Sequence, residues 1–372
     1  MAASLAEFHA SGAGVRGLVE SGVTAVPPLF LAPGTTPAAT TAAAFAIPSV
    51  DLSLPRSVTV PLVREAARSC GLLRVTNHGV TAATVASAVA AVRAFHEQPV
   101  ASRSACYSLA PAGGVAYSTI PIQQASLQES GDQHRHAAAA SPLLPWRDSL
   151  VVRFGPGPAP DLARLPAACR DALPEYQRSL TAFGKEMAGL LSEALGVGAE
   201  RLERAMQVEG WLMACHYYPP CPEPERVVGT LEHTDPSLFT VLAQDAVGGL
   251  QVWHEEGGGG GWVDVAPVAG TLLVNVGDML KVVSNDEYKS VEHRVVIKSS
   301  KDARVSIAVF FNPAKRDASD VFGPLPELLA AGRPARYRCF SVPEFIRSRR
   351  ESGHGRSSLD LFKIAADQRQ ME

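Results

Sequence analysis

The feature that most constrains the fold is a set of side chains that must meet although they lie far apart in sequence. His233 and Asp235 are two positions apart, and His293 lies much further along the chain. On a regular strand, residues two positions apart point to the same face, so His293 must come from a separate strand that faces the first. A jelly roll of two facing sheets brings such strands together.

Two imidazoles and one carboxylate can bind a metal ion. In non-haem oxygenases, two histidines and one carboxylate occupy one face of the coordination sphere of ferrous iron and leave its other coordination positions open. Zinc accepts the same ligand types, and a histidine on a strand is more often part of the core or the surface than a ligand. The residue types alone therefore leave iron, zinc and a structural role open for His233, Asp235 and His293.

A second pattern with the same spacing follows, because Arg304 and Ser306 share a strand face with Ala308 and Phe310. The planar guanidinium can hold a carboxylate through two parallel hydrogen bonds, which lysine cannot do, and the serine adds a donor. A dicarboxylate held there could reach a metal with its other end. A surface charge is the alternative for Arg304, but the metal pattern upstream favours a binding function.

These motifs resemble the plant 2-oxoglutarate and Fe(II)-dependent dioxygenases. The other similar segments are 47–52, 75–80, 215–224, 248–252, 275–278 and 310–313, and the lead-in resembles the branch of aminocyclopropane-carboxylate oxidase homologues and specialised-metabolism hydroxylases. The resemblance covers roughly residues 46 to 345. It implies a mixed α and β fold with a double-stranded β-helix (jelly-roll, cupin-like) core and flanking helices.

The resemblance also implies an activity. Fe(II), 2-oxoglutarate and O2 are the expected cofactors, with ascorbate as an optional reductant, and succinate and CO2 are released while a small molecule is hydroxylated, desaturated or demethylated. We expect a plant specialised metabolite or a hormone-like molecule as substrate. Two alternatives stay open: an aminocyclopropane-carboxylate oxidase-type enzyme that uses ascorbate, and a catalytically silent binding protein of the same fold.

The family's functional residues map onto this sequence as follows. The implied iron ligands, which are also the catalytic residues, are His233, Asp235 and His293. The residues implied to bind the distal carboxylate of 2-oxoglutarate are Arg304, Ser306 and Tyr218. Phe310 is predicted to contact substrate because it continues the Arg304 face, and Phe239 is a second candidate. His216 stands where the family usually has asparagine, and we give it no ligand role.

The composition is that of a globular protein that acts on a small molecule. The 372 residues carry a formal net charge of -3 without a basic cluster, which argues against nucleic-acid binding. No obligate protein partner is evident. The sequence shows neither a signal peptide nor an apolar run of membrane-spanning length, and its six cysteines form no C-x-x-C motif. We therefore expect a soluble, cytoplasmic protein.

We divide the chain into a lead-in and flexible linker (1–45), an N-terminal dioxygenase region (46–165), bracing helices (166–208), the jelly-roll core (209–314) and a C-terminal helix and tail (315–372). Apolar residues three or four positions apart predict the bracing helix over 168–195. The segment 108–145 is the least family-like, and we interpret His134 and His136 in it as part of a solvated loop.

Overall fold

The computed structural model describes residues 4–32, 46–119, 143–155, 157–256, 259–314, 317, 319–330, 333–352 and 358–364. The core of the predicted linker, most of the divergent segment with His134 and His136, and the end of the tail lie outside these ranges. Within them, no helix combines the length and the apolar character that a membrane crossing requires.

The helices of the described ranges are α1 (Leu5–Ser11), α2 (Gly14–Glu20), α3 (Arg56–Ser69), α4 (Ala82–His96), α5 (Val100–Ser104), α6 (Ala172–Ala194), α7 (Arg201–Met206), α8 (Asp278–Val283), α9 (Pro326–Leu329) and α10 (Val342–Ser352). The strands are β1 (Ser49–Asp51), β2 (Leu72–Thr76), β3 (Val115–Ser118), β4 (Asp148–Arg153), β5 (Val208–Tyr218), β6 (Thr230–His233), β7 (Phe239–Gln244), β8 (Leu250–Glu256), β9 (Gly259–Asp264), β10 (Leu272–Val276), β11 (His293–Val295), β12 (Arg304–Pro313), β13 (Val321–Phe322) and β14 (Phe340–Ser341).

Two sheets form the core. The larger sheet has the strand order β1-β2-β10-β7-β12-β5-β4-β3, and the smaller sheet has the order β6-β11-β8-β9. Strands that are distant in sequence are neighbours in both sheets, as in a double-stranded β-helix. Apolar side chains of the two sheets, such as Leu72, Leu273, Val252 and Val295, pack into one buried cluster between them. The predicted β-helix fold is confirmed.

The long helix α6 covers the outer face of the larger sheet together with α3 and α4. Its apolar side chains belong to the largest buried cluster, as its periodicity predicts. Pro174 lies in its first turn, where a missing N–H costs nothing. Gly184 makes close packing possible, because a Cβ atom there would lie 1.9 Å from the ring of Phe311 on β12.

The N-terminal helices are part of the packed structure. Phe8 and Phe30 meet edge to face with 5.4 Å between ring centroids, and Phe30 meets Trp146 in the same way at 5.2 Å. The Trp146 indole N–H donates to the carbonyl of Pro219 at 3.2 Å. These rings join residues 4–32 of the predicted lead-in to the strands β4 and β5 that carry part of the site.

Candidate metal and co-substrate site

A pocket lies between the two sheets, with side chains from both in its wall. The larger sheet contributes Leu242, Leu273, Arg304, Ser306, Ala308 and Phe310 among others, and the smaller sheet contributes Thr230, His233, Val252 and His293. All three predicted metal ligands and all three residues predicted to bind the dicarboxylate line this one pocket.

The two histidines lie directly opposite each other on paired strands, since His233 ends β6 and His293 begins β11. The Nδ1 atom of His233 is 2.8 Å from the carbonyl oxygen of Leu231, and that of His293 is 3.2 Å from the carbonyl oxygen of Val291. A carbonyl only accepts hydrogen bonds, so each Nδ1 carries the proton. The Nε2 lone pairs are therefore free to bind a metal.

Asp235 reaches the histidines from a loop. We expected His233 and Asp235 on one regular strand, but β6 ends at His233 and Asp235 lies beyond it. Two contacts orient Asp235: its carbonyl accepts from the N–H of Asp278 at 2.7 Å, and its Oδ2 accepts from the amide of Asn275 at 2.8 Å. The position of the Asp235 carboxylate is therefore set by the loop after β6 and not by the alternation of side chains along a strand.

The three donor atoms converge without bonding to one another. Asp235 Oδ1 is 3.6 Å from His233 Nε2 and 3.7 Å from His293 Nε2, and the ligand atoms of all three residues lie within 4.8 Å of one another. These separations exceed a hydrogen bond and leave room for an ion between the atoms. The donor set of two imidazoles and one carboxylate fits iron or zinc.

The protonation states favour metal binding. Burial, with the neighbouring His293, lowers the pKa of His233 to about 3, so its ring is neutral near pH 7. Burial alone would raise the pKa of Asp235, but the two imidazoles and hydrogen bonds from Thr240 and Asn275 lower it below the ordinary value. A neutral imidazole and an ionised carboxylate are the forms that bind a metal without first losing a proton.

A second layer of polar groups holds the loop that carries Asp235. Asp278 accepts a hydrogen bond from the Thr234 hydroxyl at 2.9 Å and pairs with Arg349 at 2.6 Å. Arg349 also donates to the Thr234 carbonyl at 2.8 Å, so α10 is tied to the metal-binding loop. Asp278 is the first residue of α8, and its carboxylate is buried.

Arg304 is a buried cation without an acidic partner among the described residues. It is 4% exposed and donates to Ser306 Oγ at 3.0 Å and to Gln244 Oε1 at 2.8 Å, while its Nε finds no acceptor. A buried charge is costly unless an opposite charge compensates it. The pocket therefore suits an anion at this end.

Tyr218 lies beside Arg304, whose guanidinium carbon is 4.9 Å from the centre of the ring. The Tyr218 hydroxyl is 3.1 Å from Thr230 Oγ1, on the smaller sheet. Ser306 is opposite His216 and Arg304 is opposite Tyr218 in the register of β12 and β5. A guanidinium and two hydroxyls thus face the same part of the pocket, as a carboxylate site requires.

The two aromatic residues predicted to contact substrate lie in different places. Phe310 lines the pocket. The prediction for Phe239 is wrong, because its ring is buried in the outer core and stacks on Phe311 at 4.8 Å. On β7, Thr240 and Leu242 face the pocket, so strand alternation turns Phe239 to the other side.

Several pocket residues were not singled out by the sequence. Asn275 orients the metal-binding carboxylate, and Arg147 and Thr230 line the wall next to Tyr218. His216, to which we gave no role, also lines the pocket, and its Nδ1 is 2.8 Å from the Ser149 hydroxyl. The similarity of segment 275–278 to the family was a usable signal for Asn275. Arg147 lies in the segment 146–150, which follows the family pattern, but that similarity assigned it no role.

Comparison with known families gives two matches in separate parts of the chain. Residues 210–313 match the sequence model of the 2OG-Fe(II) oxygenase superfamily. Residues 47–153 match that of the non-haem dioxygenase in morphine synthesis N-terminal region. The first segment contains the three candidate metal ligands, and the second contains α3, α4 and all of β4.

Similar proteins span nearly the whole chain. The 1-aminocyclopropane-1-carboxylate oxidase homolog 1 of Arabidopsis thaliana is 35% identical over 370 residues, which cover 97% of this chain and 96% of the relative. The homolog of Solanum lycopersicum is 34% identical over 368 residues, with 97% and 96% covered.

Two solved structures are also similar. The crystal structure of JOX2 in complex with 2OG, Fe and JA has a TM-score of 0.78 at 27% identity, over 95% of this chain and 98% of that one. The rice dioxygenase for auxin oxidation has a TM-score of 0.67 at 27% identity, over 86% of this chain and 100% of that one.

Proposed function

The chain belongs to the 2OG-Fe(II) oxygenase superfamily, and we propose that its pocket couples the conversion of 2-oxoglutarate to succinate and CO2 with the oxidation of a small plant metabolite. It is an Fe(II)- and 2-oxoglutarate-dependent dioxygenase. The observation that carries the proposed site is the convergence of His233, Asp235 and His293 in the pocket that also holds Arg304 and Ser306.

In this proposal His233, Asp235 and His293 hold the iron, which supplies the activation of O2 when bound. Each residue has a second contact that orients it. The backbone carbonyls next to the histidines fix their Nδ1 protons, and Asn275 holds the outer oxygen of Asp235. Such outer contacts keep the ligands in position before the metal arrives.

Arg304, Ser306 and Tyr218 bind the distal carboxylate of 2-oxoglutarate in this proposal. The support is the buried guanidinium without an acidic partner among the described residues and the hydroxyls beside it. A bound carboxylate would compensate the charge of Arg304 and accept a hydrogen bond from its free Nε–H.

The substrate is proposed to enter at the Phe310 end of the pocket. That end carries an aromatic ring and the small Ala308, while aliphatic side chains such as Leu242 and Val252 line the rest of the wall. A mostly apolar cleft with a few polar groups is typical of small-molecule sites. The similar structures of JOX2 and of the auxin dioxygenase support a hormone-like or specialised metabolite as substrate. The cytoplasm remains our proposed location.

Succinate release tests this function without knowledge of the substrate. Purified protein given Fe(II), 2-oxoglutarate and O2 is expected to release succinate slowly on its own and faster with a plant extract that contains the substrate. A mass gain of one oxygen, or the loss of two hydrogens or of a methyl group, would then identify the product. Absence of succinate under both conditions would contradict the proposal.

An oxidase that uses ascorbate is the second candidate, because the similar plant proteins are named as homologues of 1-aminocyclopropane-1-carboxylate oxidase. The same assay separates the two. An enzyme of that type would consume ascorbate and 1-aminocyclopropane-1-carboxylate without a need for 2-oxoglutarate. We expect the opposite, since the pocket keeps a place for a second carboxylate at Arg304.

A further inference from the structure

We propose that Arg147 is a second cation for the distal carboxylate of 2-oxoglutarate, so that Tyr218 is flanked by two guanidinium groups and the pocket selects a dicarboxylate. This inference rests on the proposed function of the pocket. Arg147 belongs to none of the motifs that assigned the site, and the structure alone brings it there.

The strand register places Arg147 next to Tyr218. On one side of β5, Arg304 lies opposite Tyr218 and Ser306 lies opposite His216. On the other side, Ser149 lies opposite His216 and Asp148 lies opposite Tyr217, so Arg147, directly before β4, falls beside Tyr218. The chain therefore has two Arg-x-Ser pairs, 147–149 and 304–306, one on each side of the same central strand.

The contacts of Arg147 keep its charge at the Tyr218 hydroxyl. Its Nη1 donates to Thr230 Oγ1 at 2.5 Å, and that oxygen is 3.1 Å from the Tyr218 hydroxyl. Its Nε is buried and has no hydrogen-bond partner. Among the described residues, no carboxylate comes within salt-bridge distance of Arg147. The pocket thus contains a second guanidinium whose charge is not compensated.

The electrostatics at Tyr218 show that both cations act on the same point. Burial by itself would raise the pKa of Tyr218, yet the pKa lies below its ordinary value because Arg147 and Arg304 favour the charged form and because Thr230 and Arg147 contribute hydrogen bonds. A negative group bound next to this hydroxyl would be stabilised by the same two charges. The location therefore suits an anionic ligand.

Position along the strands identifies which anion this is. Arg304 and Phe310 are six residues apart on β12, and at about 3.3 Å per residue they are separated by roughly 20 Å. Arg147 lies level with Arg304, at the end of the pocket away from Phe310. A carboxylate of the substrate at Phe310 would be too distant, whereas the distal carboxylate of 2-oxoglutarate is proposed to lie at Arg304. We therefore assign Arg147 to the co-substrate.

Binding of 2-oxoglutarate to the Mn(II)-loaded protein, measured by calorimetry, tests this role without turnover. We expect Arg147→Gln to weaken 2-oxoglutarate roughly tenfold, toward the lower end of what a charge-assisted hydrogen bond contributes. The affinity of Arg147→Lys for 2-oxoglutarate should lie between those of the wild type and Arg147→Gln, because lysine keeps the charge but lacks the planar guanidinium. The probe without the distal charge is 2-oxopentanoate, in which a methyl group replaces that carboxylate. The affinity of the protein for 2-oxopentanoate should change less than about twofold when Arg147 is replaced by glutamine.

The control is Arg178→Gln, which removes an exposed guanidinium from α6 far from the pocket and should bind both ligands as the wild type does. Equal affinity of wild type and Arg147→Gln for 2-oxoglutarate would overturn the role of Arg147, and so would an equal loss for both ligands. Wild-type protein that binds Mn(II) but not 2-oxoglutarate would instead contradict the proposed function itself.

Discussion

Asp148 and Asp235 are two carboxylates that the fold buries to nearly the same extent, with 0% and 3% of their surface exposed. They differ in what surrounds their oxygens. Protein donors occupy both oxygens of Asp148, whereas one oxygen of Asp235 faces two imidazole nitrogens that are too distant for hydrogen bonds. Burial is therefore common to both sites, and the free oxygen distinguishes the one that can bind a metal.

Asp148 joins the N-terminal helices to the larger sheet. Its oxygens accept from the N–H groups of Val15 and Arg16 at 2.9 and 2.8 Å and from the Thr119 hydroxyl at 2.6 Å. Gly14 makes this approach possible, because its φ is +66° and a Cβ atom would lie 2.6 Å from the carboxylate. Because both carboxylate oxygens of Asp148 already accept hydrogen bonds from the protein, the expected role of Asp148 is structural.

The largest expected effect is the loss of metal binding in Asp235→Ala. Removal of an outer contact to a metal ligand typically costs about 10–100-fold, so removal of the ligand itself should exceed that range in Fe(II) affinity and in succinate release. The free energy of unfolding of the metal-free protein should change by no more than about 1–2 kcal/mol, the cost of leaving the Asn275 amide unpaired.

Calorimetric titration with Fe(II) under anaerobic conditions and a urea unfolding curve measure the two quantities. Asp171→Asn, at an exposed position before α6, is the matched control and should leave both unchanged. Succinate release by Asp235→Ala at the wild-type rate would remove this residue from the proposed metal site.

Arg304→Lys should raise the 2-oxoglutarate concentration needed for half-maximal succinate release by roughly tenfold to a hundredfold. Lysine keeps the positive charge but cannot form the two parallel hydrogen bonds of a guanidinium, and a charge-assisted hydrogen bond is worth about 1.5–3 kcal/mol. If Arg304→Lys needs no more 2-oxoglutarate than the wild type, Arg304 does not bind the dicarboxylate. The fold should persist, because the side chain keeps most of its length.

In contrast to Asp235→Ala, Asp148→Ala should lower the stability of the protein and leave its turnover nearly unchanged. It leaves the backbone N–H groups of Val15 and Arg16 and the Thr119 hydroxyl without an acceptor, and we expect a loss of about 2–3 kcal/mol in the free energy of unfolding. Succinate release per folded molecule should stay within about twofold of wild type, since Asp148 does not line the pocket. A tenfold loss of turnover in the fully folded Asp148→Ala variant would show that Asp148 contributes to catalysis, and would contradict its purely structural role.

The sequence predicts much of the fold correctly where one local pattern decides the structure. The helix α6 lies inside the predicted range 168–195. The apolar periodicity is unbroken along this helix from Leu173 to Ala194. His293 lies on a separate strand, as predicted, but β11 is the hydrogen-bonded neighbour of β6 in the same sheet and does not face it from the other sheet.

The errors arise where the chain bends or where partners come from distant segments. Alternation fails across the end of β6, so it does not explain the position of Asp235. It also does not tell which face of β7 is inside, and Phe239 was placed on the wrong one. Arg147, directly before β4, and Arg349 on α10 reach the site through their side chains. No local pattern encodes such contacts.

The smallest expected effect is a difference in pH dependence between two carboxylates that hold the N-terminal helices. Burial raises the pKa of Asp148 above its ordinary 3.8, although Thr119 and the two backbone N–H groups oppose the shift. The folded protein then binds this proton at a higher pH than the unfolded chain does. The stability that Asp148 provides should therefore increase as pH falls from about 7 toward 3.8.

Glu20 should show the opposite sign. The hydrogen bond from Arg103 lowers its pKa below the ordinary 4.5, so its contribution is complete above that value and is lost only as pH falls through the lower, folded value. Urea midpoints of wild type, Asp148→Asn and Glu20→Gln at a series of pH values measure both contributions. We expect the gap between wild type and Asp148→Asn to widen on acidification, and the gap to Glu20→Gln to stay constant above about pH 4.5 and then to narrow. Parallel curves for the two variants would show that hydrogen bonds to Asp148 outweigh its burial.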